Sequence, residues 1–171
     1  MSSIPSAEER VFEDAYVAYA DAIERYLYWR THDQAVAQDL CSETFHKAWK
    51  SRAQFKGGSY RAWLYRIAGN ILIDYWRKQK DLTLDEAMAI PSSGLGVHDS
   101  IVRNEFDREL MEMVAALPDK LEAVLTLRFI EGLSAHETAM ALDVSEVNVR
   151  VLQYRALRKI RKEINDREKS S

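Results

Sequence analysis

The chain has few of the residues that interrupt helices or cross-link a fold. Its 171 residues include 6 glycines, 3 prolines and a single cysteine. So little glycine and proline favours long helices over a β fold with many turns. The lone Cys41 excludes an internal disulfide and any metal site built from several cysteines. We therefore expect an all-α protein that needs no metal.

Two further absences concern location. No apolar run approaches the length that a membrane-spanning helix requires. The opening sequence MSSIPSAEERVFEDAY contains neither the basic nor the apolar segment of a secretory signal. We therefore expect a cytoplasmic protein that is not inserted in a membrane.

Charge is plentiful but segregated along the chain. The net charge is −3, yet residues 51–80 carry 7 basic and 1 acidic side chains, and residues 148–171 carry 8 basic and 3 acidic ones. Between them, residues 81–147 carry 4 basic and 14 acidic side chains. Two basic islands in an acidic chain can each hold phosphates, while the acidic remainder limits nonspecific binding. This pattern indicates a nucleic-acid partner.

The first basic island is predicted to be an amphipathic helix over Ser59–Lys80. Its apolar stripe, at the spacing of one helical face, is Leu64, Ile67, Ala68, Ile71, Leu72 and Tyr75. The opposite face carries Trp63, Arg66, Asn70, Asp74 and Arg77, and Tyr65 and Trp76 lie at the margins. Rings beside guanidinium groups offer stacking and positive charge to unpaired bases. A core helix with a solvated exterior has the same periodicity, and the charge segregation favours the binding interpretation.

Two small domains are predicted. Helices over Ala7–Arg30 and Gln34–Arg52, the second capped by Asp33, join the basic helix in a first domain of residues 1–80. Residues 81–99 lose all amphipathic period and gather proline, serine and glycine, so we expect a flexible linker there. The second domain is residues 100–171.

The second domain shows the pattern of a helix-turn-helix. A helix with Phe106 in its apolar stripe ends at Pro118, which fits the first position of a following helix that extends to Phe129. Ser134 is predicted to cap a short helix over Ala135–Leu142, and a tight turn leads to a last helix over Glu146–Lys162. A short helix, a three-residue turn and a longer basic helix are typical of DNA-binding helix-turn-helix units.

The last helix also has two faces. Its inward stripe is Val149, Leu152, Ala156 and Ile160. Side chains placed near the helix start to read base edges are Arg150, Val151, Tyr154 and Arg155. Arg158, farther along, suits phosphates. Basic residues that complement the dipole at a helix C-terminus are the alternative explanation.

Catalytic motifs are incomplete. Glu43 and His46 have the spacing of a di-iron motif, but no second copy exists. His136-Glu137 resembles the start of a zinc-protease helix, but Met140 occupies the place of the second histidine. No glycine-rich phosphate loop is present. We expect no enzyme activity, no cofactor and no small-molecule substrate.

Three segments resemble the extracytoplasmic-function (ECF) group of bacterial RNA polymerase sigma factors. DLCSETFHKAW (39–49) is similar to the clamp-binding helix of that family. SYRAWLYRIAGNILIDYWRK (59–78) is similar to its promoter-melting helix, and residues 117–161 are similar to its region 4. The resemblance implies an all-α initiation factor with regions 2 and 4, which binds core RNA polymerase and promoter DNA and is held by an anti-sigma factor.

The resemblance also implies site residues. The polymerase clamp would contact Asp39, Leu40, Glu43 and Phe45. The −10 element would contact Phe55, Lys56, Ser59, Tyr60, Arg61, Trp63, Arg66, Asn70, Asp74 and Arg77. The −35 element would contact Arg150, Val151, Tyr154, Arg155 and Arg158.

Two other functions compete with this interpretation. A conventional helix-turn-helix repressor or activator would use the first domain for dimerisation or ligand sensing, which leaves the first basic island and its rings unexplained. A helical adaptor without DNA contact explains neither island.

Overall fold

The computed structural model describes residues 4–85 and 104–171, which fall into two compact units, one on each side of the gap. The described residues of both units are helical and contain no strand, so the predicted all-α class is confirmed. Most of the predicted linker, residues 86–99, lies outside the described residues. None of the described helices is long and apolar enough to cross a membrane.

The first unit consists of three α-helices, α1 (Ala7–Thr31), α2 (Gln34–Lys50) and α3 (Tyr60–Asp85). A short 3₁₀ turn, Arg52–Gln54, follows α2. Asp33 caps α2 as predicted, because its carboxylate accepts a hydrogen bond from the Val36 amide at 3.0 Å. The helix ends earlier than expected, and α3 continues for five residues past Lys80 into the segment assigned to the linker.

The core of the first unit is rich in aromatic rings. The predicted stripe of α3 is confirmed by the burial of Leu64, Ala68, Ile71 and Leu72. Tyr65, predicted at the margin, is instead almost fully buried, with its ring centroid 5.3 Å from that of Tyr26 on α1. A phenol ring can extend from the margin of a helix into the core while its hydroxyl keeps a polar partner, which periodicity alone does not reveal.

The second unit contains α4 (Glu105–Ala115), α5 (Asp119–Leu125), a π-helical turn (Thr126–Ile130), α6 (Ala135–Leu142) and α7 (Glu146–Ser170). Pro118 is the N-cap of α5 rather than its first residue, and α7 extends eight residues beyond the predicted Lys162. A run of charged residues with strong helix propensity sustains α7 to the end of the chain.

The core of the second unit is aliphatic. One cluster joins α4, α5 and α7 through Met113, Leu117, Leu121, Leu125, Ala156 and Ile160. Another joins α5, α6 and α7 through Val124, Ala139 and Val149. Phe106 and Phe129 were predicted in apolar stripes, but they are 62% and 60% exposed. For Phe129 the π-helical turn adds a residue per turn and so rotates the ring away from the core.

Candidate nucleic-acid interface

The polar side of α2 presents two carboxylates. Asp39 and Glu43 are exposed, and Glu43 pairs with Lys47 one turn later at 3.5 Å. Leu40 and Phe45 are buried, and the Phe45 ring packs 4.9 Å from Tyr16 on α1. Of the four residues predicted to contact polymerase, only the two acids therefore offer side chains to a partner; the other two hold α2 in place.

Three rings gather where the loop after α2 enters α3. The centroids of Phe55 and Tyr60 lie 4.7 Å apart, and those of Tyr60 and Trp63 lie 5.1 Å apart. Phe55 is 5.4 Å from Trp63, so each ring contacts the other two. All three are half-buried, which leaves part of each ring open to solvent. We call Phe55, Tyr60 and Trp63 the ring cluster.

The backbone of the loop requires glycine and a cap. Gly57 and Gly58 have φ of 97° and 92°, which side-chain-bearing residues rarely adopt. Ser59 then accepts a hydrogen bond from the Ala62 amide at 3.1 Å, and so fixes the start of α3. Lys56, which follows Phe55 in the loop, is exposed. The loop thus carries an exposed cation next in sequence to one of the rings, and its own glycines and cap hold its shape.

Arg52 is a functional candidate that the sequence interpretation missed. Its guanidinium lies 3.8 Å from the centroid of the Trp49 ring, and it donates a hydrogen bond to the Trp49 carbonyl at 2.7 Å. Burial raises the pKa of the Tyr60 hydroxyl, and the positive charge of Arg52 partly offsets that rise. Arg52 therefore joins the end of α2 to the ring cluster. In the sequence, its position between Trp49 and Phe55 was the signal for this role.

The outer face of α3 continues from the ring cluster. Arg66, Asn70 and Arg77 are exposed, and Arg77 donates a hydrogen bond to Asp74 at 2.6 Å. Arg61, in the first turn, is half-buried. The loop and one face of α3 thus carry the predicted −10 residues except Arg61, which lies about 160° around the helix from Trp63, on the side of the buried Ala68 and Leu72.

The second half of α3 carries another half-buried indole, Trp76. The guanidinium of Arg30 lies 5.0 Å from the centroid of Trp76 and donates a hydrogen bond to the Tyr26 hydroxyl. Arg30 itself is buried. Trp76 therefore contacts a buried arginine of α1, whereas Trp63 contacts the rings of Phe55 and Tyr60.

The helix-turn-helix of the second unit is fixed by paired caps. Ser134 and Glu137 form a capping box at the start of α6, and Ser145 caps α7 by accepting from the Asn148 amide at 3.1 Å. Asp143, with φ of 54°, ends α6 in the left-handed conformation. The predicted cap and turn are confirmed, and the turn accommodates an aspartate where glycine would be unstrained.

Arg128, which the sequence interpretation also missed, connects two segments of the same unit. It donates a hydrogen bond to the Leu133 carbonyl at 2.6 Å and another to Gln153 on α7 at 3.2 Å. The π-helical turn places this side chain. Arg128 therefore ties the segment before α6 to the middle of α7.

The predicted reading face of α7 is exposed. Arg150, Val151, Tyr154, Arg155 and Arg158 all project from the helix, whereas Val149 and Ala156 are fully buried. The Tyr154 ring is 66% exposed. The predicted two-faced character of α7 is therefore confirmed.

The reading face has a neighbouring basic groove. Arg155 and Arg158 line an open groove of about 820 Å³ between α5 and α7, together with Lys120. Arg150, Val151 and Tyr154 lie outside it. The predicted −35 residues therefore divide into three on the open face and two at the margin toward α5.

The described part of the chain offers little support for metal binding or for a nucleophilic cysteine. No group of three or more histidine, cysteine or acidic residues there could hold a metal ion. The Cys41 thiol is buried near the Ala20 carbonyl, and burial raises its pKa to about 11, with Glu24 and Asp21 adding to the shift. Such a thiol is neutral near pH 7 and is a poor nucleophile.

Comparison with known proteins assigns both units to one family. Residues 15–81 match the model of sigma-70 region 2, and residues 107–160 match that of sigma-70 region 4. The chain is 31% identical to the ECF RNA polymerase sigma factor SigX of Bacillus subtilis over 162 residues, which cover 90% of this chain and 84% of SigX. It is also 31% identical to the ECF sigma factor BldN of Streptomyces coelicolor, covering 94% of this chain but only 63% of BldN.

Solved structures show the same fold. The sigma factor RpoE of Bartonella quintana, in complex with the anti-sigma factor NepR, gives a TM-score of 0.72 at 18% identity, covering 91% of this chain and 98% of RpoE. CnrH, in complex with the cytosolic domain of CnrY, gives 0.67 at 21% identity, covering 92% and 89%. With both sigma-70 regions matched and SigX 31% identical over 84% of its own length, the chain belongs to the ECF RNA polymerase sigma factors, which recognise promoters.

Proposed function

We propose that the chain docks on core RNA polymerase through Asp39 and Glu43 of α2, binds unpaired −10 DNA with the ring cluster and α3, and reads −35 duplex DNA with α7. The ring cluster is the observation that carries this proposal. Half-buried rings beside Lys56 and the exposed arginines of α3 suit unpaired bases, which need a stacking surface and charge for phosphates.

The two DNA surfaces are suited to different DNA forms. The cluster offers ring faces at a loop, where a base can leave its stack. The reading face of α7 offers forked donors on a helix that fits a major groove. The chain therefore needs no covalent chemistry: it stabilises one strand, recognises a duplex, and leaves catalysis to the polymerase in the cytoplasm.

The docking surface is tested by reversing its charge. The doubly substituted Asp39→Arg, Glu43→Arg chain should fail to co-purify with core polymerase, while its circular dichroism remains that of the unsubstituted chain. Both side chains are exposed, so their replacement leaves the core untouched. Glu13→Arg with Asp14→Arg, two exposed acids on α1, is the matched control and should bind polymerase normally. Equal binding by both double variants would reject docking through α2.

An anti-sigma factor is also proposed as a partner. The fold relatives RpoE and CnrH are each described in complex with such a protein or a cytosolic domain. A protein that covers α2 or the ring cluster would block polymerase or DNA. Competition between the bound partner and core polymerase for the purified chain would test this, and simultaneous binding of both would argue against it.

A further inference from the structure

Glu146, the first residue of α7, lies between two basic side chains. Its Oε1 is 2.9 Å from Nδ1 of His136, and its Oε2 is 3.6 Å from Nη2 of Arg150. The Glu146 side chain is 41% exposed, whereas the side chains of His136 and Arg150 are 71% and 67% exposed. Each carboxylate oxygen therefore has its own partner, at the edge of the predicted reading face.

These contacts join both helices of the helix-turn-helix. His136 belongs to the first turn of α6, while Glu146 and Arg150 are one turn apart on α7. The Ser145 cap fixes the backbone of the turn that carries Glu146. The Glu146 carboxylate is therefore held by a contact from α6 and by the fixed backbone at the start of α7, and it lies within ion-pair distance of the Arg150 guanidinium.

We propose that Glu146 is a positioning residue that sets the base preference of α7 by orienting the Arg150 guanidinium, with His136 holding the carboxylate. The inference rests on the proposed role of α7 in duplex readout. Bidentate recognition of guanine needs two N–H groups in one plane, and a guanidinium already held in place loses less freedom on binding. The carboxylate also repels nearby phosphates, so it lowers affinity for all sequences while it sharpens the choice among them.

Two simpler roles for Glu146 make different predictions. An acid in the first turn of a helix stabilises that helix through its dipole, which would change stability without changing base preference. A glutamate can also accept a hydrogen bond from the amino group of cytosine, in which case it would act independently of Arg150.

The test uses the full chain and a duplex that the unsubstituted chain selects from a random pool, together with variants of that duplex altered at single base pairs. Glu146→Gln retains the size of the side chain and removes its charge. The preference at the base pair read by Arg150 should fall by about fivefold to tenfold, the lower end of the discrimination that one bidentate contact gives. Binding to the altered duplexes should become tighter, because a repulsive charge is gone.

A matched control lies on the same helix. Glu163 pairs with Arg167 one turn later at 3.0 Å, far from the reading face, so Glu163→Gln should leave the preference unchanged. Should Glu146→Gln lower the melting temperature below that of the assay, Glu146→Asp replaces it, because aspartate keeps the charge at the helix start and shortens the reach to Arg150. It should lower the preference at the same base pair.

The decisive comparison repeats Glu146→Gln in a chain that already carries Arg150→Ala. No further loss of preference is expected there, because Glu146 acts through Arg150. A loss of the same size in both backgrounds would overturn the proposal and make Glu146 a direct reader. An unchanged preference in the single variant would overturn it in favour of a stabilising role. A pool without any enriched sequence would reject duplex readout by α7 itself, and the proposal with it.

Discussion

All four tryptophans of the chain, at positions 29, 49, 63 and 76, lie in the first domain, and the described part of the second domain contains three aromatic residues in total. In the first domain, Tyr26, Trp29 and Tyr65 are buried in the core. In the second, Phe106, Phe129 and Tyr154 are each more than half exposed, around a core of leucine, valine, alanine and methionine.

This difference shows which aromatic residues indicate a binding surface. Aromatic side chains fill the core of the first domain. An aromatic residue there therefore indicates binding only when it is half-buried at a loop, as in the ring cluster. In the second domain the core needs no ring, so an exposed one such as Tyr154 needs another explanation. Tyr154 lies on the reading face, where it can contact DNA; Phe106 borders a groove between α4 and the end of α7.

The largest expected effect is the loss of stability when a buried leucine is replaced in one core at a time. Leu64 and Leu127 are almost fully buried, one in each domain. Leu64→Ala and Leu127→Ala should each cost about 2–5 kcal/mol of unfolding free energy in the domain that holds them. Because every tryptophan lies in the first domain, tryptophan fluorescence should report only the loss caused by Leu64→Ala. Circular dichroism should report both.

The two cores would not be independent if Leu127→Ala lowered the midpoint of the unfolding transition seen by fluorescence as much as Leu64→Ala does. That result would mean that the two domains unfold as one unit. Leu82→Ala, at an exposed leucine of α3, is the control for the substitution itself.

The next effect concerns the rings at the surface. Trp63→Ala should weaken binding of a single-stranded −10 oligonucleotide by about 1–3 kcal/mol, the worth of one stacked base. Tyr154→Ala removes an exposed ring from the second domain and should leave that binding unchanged while it weakens duplex binding. Anisotropy of labelled single-stranded and duplex DNA measures both. If both variants weaken both DNA forms equally, the two domains do not divide the DNA as proposed.

The third effect separates two arginines of one helix. Arg150→Ala should remove about 1–3 kcal/mol of discrimination between a selected duplex and one altered in the upstream element. Arg158→Ala, in the groove toward α5, should weaken both duplexes alike and reduce the salt slope by about 0.9. Titrations at several salt concentrations measure both quantities. A loss of discrimination with Arg158→Ala and none with Arg150→Ala would place the reading face about two turns farther along α7.

Sequence periodicity was sufficient for the all-α class, the two-faced character of α3 and α7, and the caps at Asp33 and Ser134. These features depend on contacts within a few residues of one another, which spacing records directly. The helix ends were less accurate, as at Asp85 and Ser170, because charged helix formers can continue a helix without any apolar stripe.

Features that depend on a partner from elsewhere in the chain were not predictable in this way. Tyr65 is buried because Tyr26 on another helix receives its ring, and Phe129 is exposed because a π-helical turn shifts its angle. Arg52 and Glu146 were missed for the same reason. Their roles come from Trp49, Tyr60 and His136, which the fold brings close. The assignment of site residues to polymerase or DNA stays a prediction.

The smallest effect compares two capping boxes of the same chemistry. Ser134 and Glu137 exchange hydrogen bonds of 3.0 and 2.9 Å at the start of α6, and Ser6 and Glu9 exchange bonds of 3.2 and 2.6 Å at the start of α1. Ser134→Ala should cost about 1 kcal/mol of unfolding free energy in the second domain, because α6 has only 8 residues and its first turn cannot fray without disturbing the helix-turn-helix. Ser6→Ala should cost only a few tenths, because α1 has 25 residues and its first turn is exposed and can fray without opening the core. Denaturant titrations of both variants are followed by circular dichroism and by tryptophan fluorescence: a loss in the second domain appears only in the first signal, and a loss in the first domain appears in both. Equal losses would show that the caps contribute by their own hydrogen bonds alone, and that the length and packing of the helix behind them make no difference.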